Sequence, residues 1–181
     1  MFKNFFPNKI LSISNKFISI LLIVMLFIML TGLVYALFIS PPDYIQGDSV
    51  RIMYVHVPSS FISLGCFALL GLASIFNLIF NARFLFLITK SLAPIGLVFT
   101  IISIVTGSMW GKPTWGVWWA WDARLTSMLV LVIFYFAYIL AWKLIDNFEK
   151  ANRITSIIAT IGIFNLPIIK YSVDWWSTLH Q

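Results

Sequence analysis

The chain has 181 residues, of which 61% are hydrophobic and only 10% are charged. Roughly a quarter of the residues in soluble domains are charged, so this composition excludes an ordinary soluble protein and indicates an integral membrane protein. The net charge of +6 is interpreted as loop lysines and arginines that set orientation, with no nucleic acid as partner. The one cysteine, Cys66, lies in an apolar run and supports neither a disulfide nor thiol redox chemistry.

Five apolar runs are long enough to cross a bilayer as helices, which takes about 20 residues each. They cover residues 17–39, 58–80, 91–109, 125–144 and 154–169. No small-residue cleavage site follows the first run, so we expect a retained span and not a signal peptide. The expected fold class is an all-α integral membrane protein, a helical bundle that forms a single membrane domain over residues 1–181.

Prolines indicate where several of these helices begin, end or bend. Pro41 and Pro42 are expected to end the first helix. Pro58 is expected in the first turn of the second helix, where a missing N–H costs nothing. Pro167 is expected to bend the exit of the fifth.

The distribution of lysine and arginine predicts the orientation. Eight of the 12 lie before the first span, between the second and third spans, at the end of the fourth span (Lys143), or between the fourth and fifth. The positive-inside rule therefore predicts a cytoplasmic N-terminus. Residues 40–57, residues 110–124 and the tail from Tyr171 then share the outer face, with both histidines and seven of the 8 tryptophans.

Residues 110–124 are the most unusual segment, because they hold five of the 8 tryptophans. One interpretation is an aromatic belt, since Trp gathers at membrane interfaces, but a belt should decorate both interfaces. The other is a platform for a flat apolar ligand. In a helical conformation Trp115, Trp118, Trp119 and Asp122 would share one face.

Charged residues near this segment suit an anionic ligand. Lys112 and Arg124 flank the tryptophans, and Arg51 is predicted on the same side; all three could meet carboxylates. Asp122 has three possible roles: it orients an indole N–H, pairs with Arg124, or caps a helix that starts near Ala123.

The two histidines, His56 and His180, are distant in sequence but predicted at the same membrane depth. Neutral imidazole is a common ligand of transition metals, and two can hold a heme iron axially. A flat apolar platform, two imidazoles and nearby cations together describe a heme site. If its segment is helical, Trp176 lies one turn from His180.

Apart from Lys143, next to the end of the fourth, the predicted spans contain no Asp, Glu, Lys, Arg or His. An ion-coupled path through this chain alone is therefore disfavoured, because such paths usually carry ionisable groups at mid-membrane. The third span does carry a stripe of small residues that allows close helix approach, either within the bundle or to a partner. The stripe comprises Gly96, Thr100, Ser103 and Gly107.

The segment from Trp110 to Arg124 resembles the tryptophan-rich WWD signature of heme-handling proteins. With residues 50–58 and 166–180 it most resembles the heme exporter (cytochrome c maturation) protein C family, over nearly the whole chain after the first span. This resemblance implies heme b as ligand and His56 and His180 as its axial ligands. It also implies a platform and a propionate contact at Arg124. The platform residues are Trp110, Trp115, Trp118, Trp119, Trp121 and Asp122.

The resemblance further implies delivery of heme to a heme chaperone during cytochrome c biogenesis, and no enzymatic activity. The implied partners are an ATP-binding cassette pair, a small single-span subunit and membrane lipid. The implied location is the bacterial inner membrane, functional face periplasmic, or the mitochondrial inner membrane. The family pattern has a sixth span after the second histidine, whereas five are expected here. Two alternatives are a permease subunit of an ATP-binding cassette transporter, moving heme or another small solute, and a respiratory heme-anchor subunit.

Overall fold

The computed structural model describes residues 8–82, 84–176 and 179, with side chains from residue 17 onward. Regular structure in these residues is helical, apart from one isolated bridge between Asp43 and Gly47. The helices are α1 (Asn8–Val34), a π-helical turn (Tyr35–Ile39), α2 (Val50–Phe80), α3 (Leu85–Trp115), α4 (Ala123–Leu144), α5 (Phe148–Gly162) and α6 (Asn165–Trp175).

Among the described residues, five helical segments are long and apolar enough to cross a membrane, as predicted. These are Phe17–Ile39, Val50–Phe80, Leu85–Trp115, Ala123–Leu144 and Phe148–Trp175. They confirm the all-helical, five-span fold class. The chain divides into two compact units, of which the first ends at Pro42 and the second begins at Asp43.

The described part of the first unit is one long helical segment, Asn8–Ile39, which ends where the sequence predicts. After Val34 the helix widens into the π-helical turn, and the Ser40 N–H donates to the Tyr35 carbonyl at 2.8 Å. The Ser40 hydroxyl donates to the Ala36 carbonyl at 2.7 Å. Pro41 follows, and because it has no N–H to continue the helix, the chain leaves the helical path there.

In the second unit, α2 and α3 run antiparallel along the predicted stripe of small residues. The hydroxyls of Ser60 and Ser103 lie 2.6 Å apart, and those of Ser63 and Thr100 lie 2.5 Å apart. Both pairs need the helices to be close, because the serine and threonine side chains are short. The stripe therefore serves helix packing within the bundle.

The second helix begins earlier than the sequence predicts. It starts at Val50, so Pro58 lies inside α2 and not in its first turn. The prediction was wrong because a proline removes only the one bond that the Tyr54 carbonyl would accept, and the helix continues past it. As a result, Arg51 and His56 lie on a helix that can span the membrane, and not in a loop.

The fifth span is broken near its middle, and not bent at its exit as predicted. The residues Ile163 and Phe164 form a turn between α5 and α6. Pro167 explains its position, since the proline ring clashes with the carbonyl four residues earlier, that of Ile163. The amide of Asn165 donates to the Ser127 carbonyl of α4 at 2.8 Å, which satisfies a polar group at the break.

The centre of the second unit is an aromatic contact between three helices. The rings of Phe67 and Tyr135 meet edge to face, with 4.8 Å between their centroids, and both side chains are fully buried. The Tyr135 hydroxyl donates to the Ser63 carbonyl at 2.7 Å. A side chain at Gly96 would overlap that hydroxyl, so glycine is needed where α3 crosses α4.

Gly96→Ala should destabilise the bundle by about 1–3 kcal/mol, because overpacking forces a buried aromatic ring to move. Thermal unfolding of the detergent-solubilised protein measures this effect. Gly65→Ala is the matched control, since a Cβ at Gly65 meets nothing within 4 Å. Equal stability of the two variants would contradict the packing of Tyr135 on Gly96.

Candidate functional site

His56, the tryptophan-rich segment and the cations near it all lie at one end of the second unit. Because α2, α3, α4 and the α5–α6 span alternate in direction, the start of α2, the end of α3, the start of α4 and the end of α6 lie at this end. It is termed the aromatic end and comprises residues 43–56, 103–124 and 170–176.

His56 is held against α3 at the aromatic end. Its Nδ1 atom lies 2.9 Å from the Ser103 carbonyl oxygen and 3.2 Å from the Thr106 hydroxyl oxygen. A Cβ at Gly107 would lie 3.0 Å from the His56 ring, which is closer than side chains ordinarily approach. The absence of a side chain at Gly107 therefore lets the imidazole lie directly on α3.

The tryptophan segment divides between a helix end and an irregular loop. Helix α3 continues to Trp115 and ends at Gly116, whose φ of 79° is in the left-handed region that favours glycine. Residues 116–122 are not helical. The prediction that Trp115, Trp118, Trp119 and Asp122 share one helical face was therefore wrong.

The indoles in this segment instead form two edge-to-face pairs. The rings of Trp110 and Trp115 are 5.1 Å apart, and those of Trp119 and Trp121 are 5.5 Å apart. The Trp115 ring lies over Gly111, where a Cβ would come within 3.0 Å of it. Gly107 and Gly111 are one turn apart, so the surfaces that receive His56 and Trp115 are about 6 Å apart along α3.

A tight turn at residues 43–47 is joined to the tryptophans. The Asp43 carboxylate accepts from the backbone N–H groups of Gln46, at 2.8 Å, and Ile45, at 2.9 Å. These bonds lower the pKa of Asp43. The Asp43 carboxylate is therefore ionised, and stabilises the turn, at any pH above the usual pKa of aspartate. This stabilisation is lost only when the pH falls through the lowered pKa of Asp43. The Gln46 side chain accepts from the Trp110 indole at 2.9 Å.

Asp122 caps α4, which is one of the three roles considered from sequence. Its carboxylate accepts from the Leu125 N–H at 2.8 Å, and the helix starts at Ala123. This cap fixes the first turn of α4, which carries Arg124. The Nη2 atom of Arg124 donates to the Lys170 carbonyl of α6 at 3.3 Å, so Arg124 connects α4 to α6.

The other two cations have structural contacts of their own. Arg51 forms an ion pair with Asp48, with 3.3 Å between Nη2 and Oδ1. Lys112 donates from Nζ to the Gly116 carbonyl at 2.9 Å, beside the end of α3. Arg51 and Lys112 therefore stabilise the turn and the loop at the aromatic end.

Two buried donors at this end suit an anionic, partly apolar ligand. Among the described residues, the Trp119 indole N–H and the Arg124 Nε–H have no hydrogen-bond partner. Buried donors are usually paired, so each such group calls for an explanation. The indoles of Trp118 and Trp121 are 59% and 77% exposed. The loop thus combines unpaired donors with a broad exposed aromatic surface.

The last part of the predicted site is only partly described. Helix α6 ends at Trp175, and Trp176 has an extended backbone, so the predicted helical spacing of Trp176 and His180 is not formed at Trp176. The Trp175 ring stacks on Tyr171 with 5.8 Å between centroids. His180 itself lies outside the described residues.

The sequence did not identify four residues as parts of this site: Gln46, Ser103, Thr106 and Gly107, of which the last three adjoin the His56 ring. Ser103 and Gly107 were identified only as packing residues of a small-residue stripe. The contact of Gln46 with Trp110 spans 64 positions, and nothing in the local sequence signals it. The stripe itself was the one available signal, because a ring can approach a helix only where that helix carries small residues.

The fold defines a polytopic helical membrane protein, and one end of its second unit is rich in tryptophan. A profile of the family described as heme exporter protein C matches residues 1–181. The chain belongs to the heme exporter protein C family, in agreement with the resemblance seen in its sequence.

Named relatives agree with this assignment. Heme exporter protein C of Escherichia coli (strain K12) is 45% identical over 175 residues, which are 97% of this chain and 71% of the relative. The protein of that name from Bradyrhizobium diazoefficiens is 38% identical, over 97% of this chain and 66% of the relative. A ccmC-like mitochondrial cytochrome c biosynthesis protein of Marchantia polymorpha is 38% identical, over 97% and 74%.

Two variants of Asp122 distinguish its role as the N-cap of α4 from any separate effect of its negative charge. Asp122→Ala should destabilise the protein by about 1 kcal/mol, whereas Asp122→Asn should retain most of the stability, because both Asp and Asn are good N-caps. Thermal unfolding of the two variants measures this difference. A loss as large in Asp122→Asn as in Asp122→Ala would show that the carboxylate charge matters beyond capping.

Proposed function

We propose that the aromatic end binds heme at the outer face of the membrane and delivers it to a heme chaperone during c-type cytochrome biogenesis. The observation that carries the proposal is the position of His56. Its imidazole is fixed through Nδ1 beside a loop of tryptophans, and this arrangement suits an axial ligand next to an aromatic wall. Family membership supports heme as the ligand.

In this proposal His56 and His180 would bind the iron of heme b. Hydrogen bonding of Nδ1 to a carbonyl is the usual way in which proteins orient a metal-binding histidine. His56 has this bond to Ser103. His180 would supply the second nitrogen ligand.

The tryptophan loop would form the wall against which the porphyrin lies. The rings of Trp110, Trp115, Trp118, Trp119 and Trp121 provide the aromatic surface, and Asp122 fixes the end of the loop. The buried Nε–H of Arg124 and the Trp119 N–H are donors suited to a propionate, because carboxylates accept strong hydrogen bonds from guanidinium groups. Arg51 would add positive charge at the rim.

Delivery requires that heme remains accessible, and the exposed indoles of Trp118 and Trp121 are consistent with a ligand held at the surface. A chaperone would approach from the periplasmic side of the bacterial inner membrane, or from the equivalent face in mitochondria. An ATP-binding cassette pair and a small single-span subunit would complete the assembly. Binding and handing over a ligand involve no catalytic step by this chain.

Polar contacts inside the second unit favour delivery over the permease alternative. The buried hydroxyls of Ser63 and Thr100 bond to each other, and the amide of Asn77 donates to the Ser156 hydroxyl at 2.9 Å. These four groups are engaged in contacts between helices, where they stabilise packing. They therefore serve the bundle and do not line a path for a polar solute.

Replacement of the axial ligands tests the proposal. His56→Ala and His180→Ala should each lower heme retention and shift the Soret band of the purified protein, because each removes a nitrogen from the iron. Absorption spectra with a pyridine hemochrome assay measure both effects. Wild-type spectra in both variants would contradict the ligand assignment.

Removal of the aromatic wall gives a second test. The double variant Trp115→Ala/Trp121→Ala should lose most of its bound heme, since each indole contributes a large apolar contact area. Trp142→Ala is the matched control, because Trp142 lies at the other end of the unit, beside Lys90. Wild-type occupancy in the double variant would favour a plain aromatic belt.

Transfer to the chaperone separates delivery from a respiratory anchor. Heme-loaded protein mixed with the purified heme chaperone should lose heme to it, with the Soret absorbance moving to the chaperone fraction on separation. A respiratory subunit would keep its heme through turnover. Retention of all heme by the membrane protein would therefore contradict delivery.

A further inference from the structure

The hydrogen bonds of His56 identify which ring nitrogen carries the proton. The Ser103 oxygen at 2.9 Å from Nδ1 belongs to a carbonyl, which can only accept. The bond therefore requires a proton on Nδ1. In the neutral ring the other nitrogen, Nε2, then holds the lone pair that can bind a metal.

Thr106 adds a second acceptor at the same nitrogen. Its hydroxyl has one proton, which is directed to the α3 backbone, with the Ile102 carbonyl 2.7 Å away and the Ser103 carbonyl 3.2 Å away. In its contact with His56 the Thr106 oxygen must then accept, and the His56 Nδ1–H donates, with 3.2 Å between Nδ1 and Oγ1. Both neighbours of Nδ1 thus favour the same tautomer.

We propose that Thr106 is a positioning residue for His56: with the Ser103 carbonyl it holds the proton on Nδ1 and so directs Nε2 to the heme iron. This inference rests on the proposed function, because it assumes that His56 binds heme. The tautomer itself is a property of the protein without heme and can be measured separately.

The placement of the ring on α3 supports a directing role for this contact. Gly107, one residue after Thr106, leaves room for the ring, since a Cβ there would lie 3.0 Å from Cε1 and 3.4 Å from Nδ1. The ring is therefore fixed by contact as well as by hydrogen bonds. Acceptors on Nδ1–H raise the basicity of the opposite nitrogen and orient the ring, as the outer partners of metal-binding histidines generally do.

The first experiment measures the tautomer of His56 in the full chain without heme. The chain has 2 histidines, so nitrogen NMR of ¹⁵N-histidine-labelled protein in lipid nanodiscs gives few signals, and His180→Ala assigns those of His56. In the neutral ring Nδ1 should be protonated and Nε2 unprotonated. An unprotonated Nδ1 would overturn the inference, whether or not the protein binds heme.

The second experiment tests Thr106 with a near-isosteric change. Thr106→Val removes the acceptor and should weaken heme affinity about tenfold, in the range typical of lost outer-shell partners. It should also shift the heme midpoint potential in the positive direction, because the axial imidazole becomes a weaker electron donor. Thr106→Ser keeps the hydroxyl and should behave like the wild type in both measurements.

Thr100→Val is the matched control, because Thr100 lies on the same face of α3 and bonds to Ser63 and not to His56. It should leave the heme midpoint potential unchanged, because both hydrogen bonds of the His56 ring are retained. Wild-type behaviour of Thr106→Val would overturn the role of Thr106, and so would an equal effect of Thr100→Val. Wild-type heme spectra in His56→Ala would instead refute the proposed function while leaving the measured tautomer intact.

Discussion

Close approach of α2 and α3 is the constraint on which the rest of the candidate site depends. Small residues on α3 allow it, and short hydroxyl contacts such as Ser60–Ser103 and Ser63–Thr100 stabilise it in an apolar environment. The same stripe continues to Gly107, where the neighbour is no longer a serine but the ring of His56. Packing in the membrane and orientation of the imidazole are therefore parts of one helix interface.

The tryptophan loop, residues 116–122, is held by contacts at both of its ends. Gly116 ends α3 through a left-handed backbone conformation, and Asp122 starts α4 as its N-cap. The turn at residues 43–47 contacts the first tryptophan through Gln46. With both ends held, large indoles can be exposed without a regular element beneath them, which is a suitable arrangement for a surface that binds a flat ligand and releases it to a partner.

The sequence predicted the parts of this structure that depend on composition and local chemistry. The five spans, the end of the first helix near Pro41 and the start of α4 after Asp122 follow from apolar length, a missing N–H and a capping side chain. The same local rules failed where tertiary context decided. Pro58 lies inside α2, because a long helix tolerates the loss of one bond, and Pro167 acts one turn earlier than the predicted bend.

The site was predictable in its members but not in its geometry. His56 and the tryptophans were predicted as site residues from residue type alone, since a histidine and a tryptophan cluster are unusual beside apolar spans. Helical periodicity was the wrong template for residues 116–122, where glycine ends the helix. The partners of the imidazole, Ser103 and Thr106, lie 47 and 50 positions away, and only the packed helices bring them together.

The function proposed for the aromatic end depends on heme being held by His56. The most direct test is a pyridine hemochrome assay and absorption spectrum of the full protein purified from membranes that contain heme. We expect non-covalent heme b at about one per chain, with a low-spin spectrum typical of nitrogen axial ligands. Protein that is folded but free of heme, and that binds none when heme is added, would contradict it.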